Sequence, residues 1–169
     1  IEAKNRFFGQ TPLHFAAFNG HLAVVTCLLD RGAEIEAKTS SGRTPLHEAA
    51  RNGHVAVVTC LLGKGADIDA KDRFDQTPLY CAVSNGHDTV VTCLLGKGAD
   101  IEVKNRFGCT PLYKAAENGN AAVVTCLLAK GADIEAKDRY GITAFEVAKN
   151  DQIKELLSST QSSGMQLVK

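Results

Sequence analysis

The sequence predicts an all-α solenoid, a stack of helix-turn-helix pairs with projecting β-hairpin loops, and three observations carry that prediction. Thr-Pro pairs recur at Thr11, Thr44, Thr77 and Thr110, with a degenerate Thr-Ala at Thr143, so the chain repeats every 33 residues. Between these markers it returns to NGHLAVVTCLL, NGHVAVVTCLL, NGHDTVVTCLL and NGNAAVVTCLL, and then to RGAEIEAK, KGADIDAK, KGADIEVK and KGADIEAK. A unit of that size is too small to bury its own core, so its leucines and valines must be covered by neighbouring units.

Each element follows from its own residues. A threonine such as Thr44 is an N-cap, and Pro45 occupies the first helical position, where its missing N–H costs nothing. The first helix stops at Asn52-Gly53, because glycine readily takes the left-handed conformation that closes a helix. A second helix spans about Val55 to Leu62 and closes at Gly63 or Gly65. The stretch ADIDAKDRFD is alternating and turn-rich, the pattern of a loop or hairpin. The alanine pairs Ala16-Ala17, Ala49-Ala50 and Ala115-Ala116 let first helices approach closely, with Ala82-Val83 in the third unit, while Val24-Val25 and Leu28-Leu29 fill the inner layer.

These motifs, TPLHEAARNGH above all, resemble the ankyrin repeat over nearly the whole chain, as TPLHxAA, NGH, a VVxxLL helix and GAD. The expected domain covers 1–157, with repeats at about 6–38, 39–71, 72–104 and 105–137 and a C-terminal capping repeat at 138–157. In that last unit Ala144 replaces proline, the turn and the start of the second helix look shortened, and Lys149, Asn150, Asp151, Lys154 and Glu155 offer a polar outer face. Residues 158–169 read as a flexible tail. The chain starts at Ile1 in the middle of a hairpin, with one extra residue before Thr11 and no polar N-terminal cap. Either further repeats precede it in a parent protein, or the first repeat leaves apolar surface exposed.

Composition narrows the function classes. Nineteen basic and nineteen acidic side chains cancel, so no whole-chain field draws it to nucleic acid or to an anionic membrane. No apolar run of about eighteen residues and no signal peptide is present, so no membrane partner is expected. Six cysteines and no N-x-S/T site favour a reducing compartment, the cytoplasm or the nucleus.

Candidate chemistry dissolves into the repeat. His47, Glu48 and His54 suggest a metal site, yet a zinc-peptidase helix needs histidines four apart, and Arg51 stands at that place. The histidines form two ladders, His14/His47 and His21/His54/His87, whose members are separated by a helix spacing rather than converging on one ion. Cys27, Cys60, Cys93 and Cys126 recur at the period and read as small core residues; of the two off-period thiols, Cys81 and Cys109, the latter is the more exposed candidate. No phosphate loop, nucleophile elbow or distinct carboxylate pair appears, so neither an enzyme nor a cofactor is expected. The resemblance implies that the first histidine bonds around its threonine and nearby backbone, which Tyr80 and Tyr113 place in doubt for repeats three and four. It also implies an asparagine, open to hydroxylation, where Glu36, Asp69, Glu102 and Glu135 stand, so that modification is not expected here.

What varies between repeats is free to carry function, and the resemblance places binding residues at the hairpin tips and the exposed face of the first helices. The expected partner-binding set begins with Phe7, Phe8, Gln10 and Phe18, continues with Arg43 and Arg51, then Arg73, Phe74 and Gln76. It closes with Arg106, Phe107 and Glu117, then Arg139 and Tyr140. Aromatic residues and arginine are over-represented at protein interfaces. The leading reading is a monomeric, non-enzymatic module whose concave face binds a partner protein or peptide. Three alternatives stay open: tip aromatics that only pack on the next hairpin, a structural spacer or consensus-like scaffold, and nucleic-acid binding, against which Asp72, Asp75 and Asp138 argue by interrupting the arginine row.

Overall fold

The computed structural model describes residues 2–5 and 8–164. Four helix pairs follow one another: α1 Pro12–Phe18 with α2 Leu22–Asp30, α3 Pro45–Arg51 with α4 Val55–Gly63, α5 Pro78–Ser84 with α6 Asp88–Gly96, and α7 Pro111–Asn118 with α8 Ala121–Ala129. A ninth helix, α9 Asp151–Gly164, packs on α8. Proline opens every first helix behind an extended threonine, and Thr77 and Thr110 accept hydrogen bonds from the amides of Tyr80 and Tyr113.

First helices stack on first helices and second on second, forming two helical layers with the core between them. Leu13, Leu46, Leu79 and Leu112 are buried to within 1% of complete, as are Ala17, Ala50, Val83 and Ala116. Val83 therefore fits where the other repeats carry alanine. Position 24 differs from the expected inner layer: Val57, Val90 and Val123 are sealed by the preceding repeat, whereas Val24 is 47% exposed. The reason is the stacking itself, since Phe15, Leu22 and Val24 have no helix pair on their outer side, and a cavity of about 590 Å³ lies against Phe15 and Val24.

The projecting loops are tighter than regular β-hairpins. Each tip closes with one backbone bond across five residues, Thr39 N–H to Arg43, Asp72 to Gln76, Asn105 to Cys109 and Asp138 to Ile142, at 3.0 to 3.1 Å. Lys137 and Thr143 form an isolated antiparallel bridge, and no longer ladder exists among the described residues. The arms do not pair further because a side chain takes the inner amides instead: Asp72 Oδ1 accepts from Phe74 and Gln76, and Asn105 Oδ1 from Phe107 and Cys109. The first tip absorbs its extra residue by using Asn5 in this role, with bonds from Phe8 and Gln10. Tips then join laterally, the amides of Ser40, Arg73, Arg106 and Arg139 donating to the carbonyls of Phe8, Ser41, Phe74 and Phe107.

The C-terminal end departs from expectation in two ways. The shortening falls on the first helix of the last unit, where residues 144–147 form only turns, while the second helix is the longest described. Without proline after Thr143, Glu146 folds back and accepts from both the Thr143 amide and its hydroxyl. Asn150 caps α9 by accepting from the Ile153 amide, and Ile153 and Leu157 are buried against the stack. The helix also continues to Gly164, into the stretch expected to be a loose tail. Ser158 and Ser159 bond back to the carbonyls of Lys154 and Leu156, satisfying their hydroxyls within the helix. Residues 165–169 lie outside the described residues.

Candidate functional site

Ladders of hydrogen bonds that run across repeats tie the tip face together. His14 and His47 each accept an N–H from their own threonine at Nδ1, 3.1 Å from Thr11 and Thr44, which leaves Nε2 to donate across the repeat boundary to the carbonyls of Arg43 and Gln76 at 3.0 Å. The neutral Nε2–H tautomer is the one that satisfies both contacts. Burial pushes His14 below its ordinary range and takes His47 down to about 4.

Tyr80 and Tyr113 make the same crossing by a different bond. Asn105 donates to the Tyr80 hydroxyl at 2.8 Å, and Tyr113 bonds the Asp138 carboxylate. Each tyrosine thus reaches the side chain that organises the next tip, in place of a carbonyl in that tip.

On the opposite side, His54 and His87 reach back to the carbonyls of Phe18 and Arg51 at 2.9 and 3.0 Å. Asn120 is shorter than histidine and its amide lies 3.5 Å from the Val83 carbonyl, so Asn118 donates to Ser84 instead, at 2.9 Å. A third ladder runs along the loops: Glu2, Glu36, Asp69 and Glu102 accept the amides of Glu34, Asp67, Asp100 and Asp133. The repeating acids therefore serve the fold, and desolvation raises the Glu36, Asp69 and Glu102 carboxyls even so.

The histidines and cysteines do not converge. Among the described residues no group of three or more potential ligands could hold a metal ion. The cysteines are free; the placement of the four periodic ones corrects the expectation of core residues, while Cys109 is more exposed than Cys81, as expected. Cys60, Cys93 and Cys126 are half-buried at the seam between second helices, 3.4 to 3.6 Å from Thr26, Thr59 and Thr92, rather than in the core. Cys27, with no preceding repeat beside it, is the exposed thiol; Cys109 is half-buried with its pKa raised by desolvation, and burial pushes Cys81 up to about 12.

The expected binding residues form a row along the tips and first helices. Phe8, Phe74, Phe107 and Tyr140 are 64%, 41%, 53% and 81% exposed, so the tip aromatics are not buried on their neighbours. Phe74 is the most shielded, with the Arg106 guanidinium 5.3 Å over its ring. Phe18, Arg51, Arg73, Arg106, Glu117 and Arg139 are exposed as well, while Gln10, Arg43 and Gln76 are half-buried. Arg43 faces the buried Asp72 at 3.5 Å, and Lys114 binds Glu117 at 2.6 Å. Phe7 lies outside the described residues.

A groove of about 570 Å³ opens in this row, walled by Phe8, Phe18 and Phe74 and edged by Arg43, Arg51 and Arg73. It contains a residue absent from the expected set. Glu48, only 4% exposed, lies in the groove, and desolvation raises its carboxyl despite the opposing pull of Arg43 and Arg51. Its signal was present in the sequence, because the equivalent positions are Phe15, Cys81 and Lys114, a variable site on the first helices.

The family described as ankyrin repeats (3 copies) matches residues 1–72, 40–105 and 69–138. The chain belongs to the ankyrin-repeat family. Ankyrin repeats are generally protein–protein interaction modules and are typically non-enzymatic. No curated protein sequence matches the chain. Among the described residues of this ankyrin stack, no helix is long and apolar enough to cross a membrane.

Proposed function

We propose that this ankyrin stack is a non-enzymatic, monomeric binding module that holds a partner protein or peptide on its concave face, formed by the tips and first helices. The observation that carries the reading is the contrast within each tip. Backbone amides and carbonyls lock neighbouring tips together, yet the aromatic side chains at Phe8, Phe74, Phe107 and Tyr140 remain exposed. A rigid platform with exposed aromatics loses little conformational entropy on binding, and such side chains are the common anchors of protein interfaces. Function in the cytoplasm or nucleus accords with six free thiols.

The test is affinity capture from native lysate with the parent chain and with a variant carrying Phe74→Ser, Phe107→Ser and Tyr140→Ser, after circular dichroism shows equal folding. The proposal expects a partner retained by the parent and lost by the variant. Capture of the same proteins by both would refute it.

A further inference from the structure

The tip row is aromatic at Phe8, Phe74, Phe107 and Tyr140 but has Ser41 at the equivalent place in the second repeat. The groove of about 570 Å³ lies at that gap, between the walls of Phe8 and Phe74, with Ser41 on its lining. A partner side chain inserted there would take the place of the missing ring and be covered by rings on both sides.

The charge around the gap is one-sided once internal pairings are removed. Asp72 is held by Arg43 and by the Phe74 and Gln76 amides, and Asp138 by the Tyr140 and Ile142 amides. Lys114 and Glu117 neutralise each other. Among the described residues, Arg51, Arg73, Arg106 and Arg139 form no salt bridge, against the unneutralised carboxylates of Asp75 and Asp138 and the buried Glu48, so cations outnumber acids along the row. Equivalent tip residues recur every two strand spacings, because each tip supplies two arms and the tips are bonded laterally; that is roughly 10 Å, the length of three residues of an extended chain.

Building on the concave-face reading, we propose that the partner is an extended acidic peptide that places an aromatic or large aliphatic anchor in the gap at Ser41 and carboxylates about three residues apart along Arg73, Arg106 and Arg139. The cationic row supplies charge complementarity and a faster association, while the gap fixes register. A basic peptide would meet uncompensated arginines along its whole length.

The decisive variant is Ser41→Phe, which restores the aromatic that the four other tips carry and so occupies the gap between Phe8 and Phe74. Selection of a phage-displayed library of random dodecapeptides on the parent chain is expected to enrich sequences with an aromatic or aliphatic anchor and acids at a three-residue interval. Synthetic forms of those peptides should bind Ser41→Phe at least about tenfold more weakly, with equal thermal melts for the two proteins. The proposal is overturned if the enriched peptides are basic or uncharged, if they bind Ser41→Phe equally well, if none is enriched, or if a thymidine oligonucleotide displaces them. Loss of a captured partner from the triple serine variant, together with any of those results, would leave the concave-face reading standing and remove only the acidic peptide.

Discussion

Acid should weaken this stack through its buried histidines, and the size of the effect follows from one bond pattern. His47 receives an N–H at Nδ1 and donates from Nε2, so an added proton at Nδ1 would face a donor in a fully buried site. Its folded pKa, about 4, lies below the ordinary 6.5 of an unfolded chain, so the folded state excludes a proton that the unfolded state accepts. Stability from this source is intact above pH 6.5 and falls as pH drops towards 4. Linkage makes the loss about 2 kcal/mol by pH 5 for His47 alone, with His14 adding in the same direction. Glu36, Glu48, Asp69 and Glu102 have raised carboxyls and bind protons more readily when folded, so they oppose the trend at the acid end.

The fold itself supplies the control. Tyrosine occupies the equivalent place at Tyr113 and bonds Asp138, and Asp72 stands where Asp138 would be needed for His47→Tyr. Urea denaturation of parent and His47→Tyr between pH 7.5 and 5 should show the parent losing about 2 kcal/mol more than the variant. Shared carboxyl effects cancel in the difference. Parallel loss in the two proteins would refute the reasoning.

Three other outcomes follow from the same structure. Val57→Ala should cost about 2 kcal/mol in urea denaturation, whereas Val24→Ala, at the uncovered end of the stack, should stay within about 0.5 kcal/mol of the parent. Asp75 has φ +57° at a tip position where the other repeats carry glycine, so Asp75→Gly should raise stability by up to about 1 kcal/mol in the same assay. Timed labelling with a thiol reagent, read by mass spectrometry, should modify Cys27 first and Cys81 last, since Cys27 is exposed and Cys81 is buried with its pKa near 12.

The helix pairs were legible because each unit restates the same caps, glycines and apolar positions, and four restatements average out local ambiguity. What escaped depends on neighbours rather than on the unit. Val24 reads as inner layer because Val57, Val90 and Val123 are, and the stacking geometry leaves it about half exposed. Tyr80 reads as a lost histidine bond until Asn105, 25 residues later, is seen to meet its hydroxyl. The degenerate fifth unit misleads because two changes compete there. The absence of proline was visible, but the back-bonding of Glu146 on Thr143 that leaves only turns was not. Along the tip row, the aromatic and arginine residues could be named from variation alone. The groove could not, since it is a gap at Ser41 framed by two other repeats, and Glu48 enters it from a helix position outside the expected set.

The most direct test is hydrogen–deuterium exchange of the chain alone and with a captured partner or selected peptide. Protection is expected at the tips, residues 39–43, 72–76 and 105–109, and along α3 and α5, with the second helices α4, α6 and α8 unchanged. Protection confined to the second helices would place the partner on the opposite face and contradict the account.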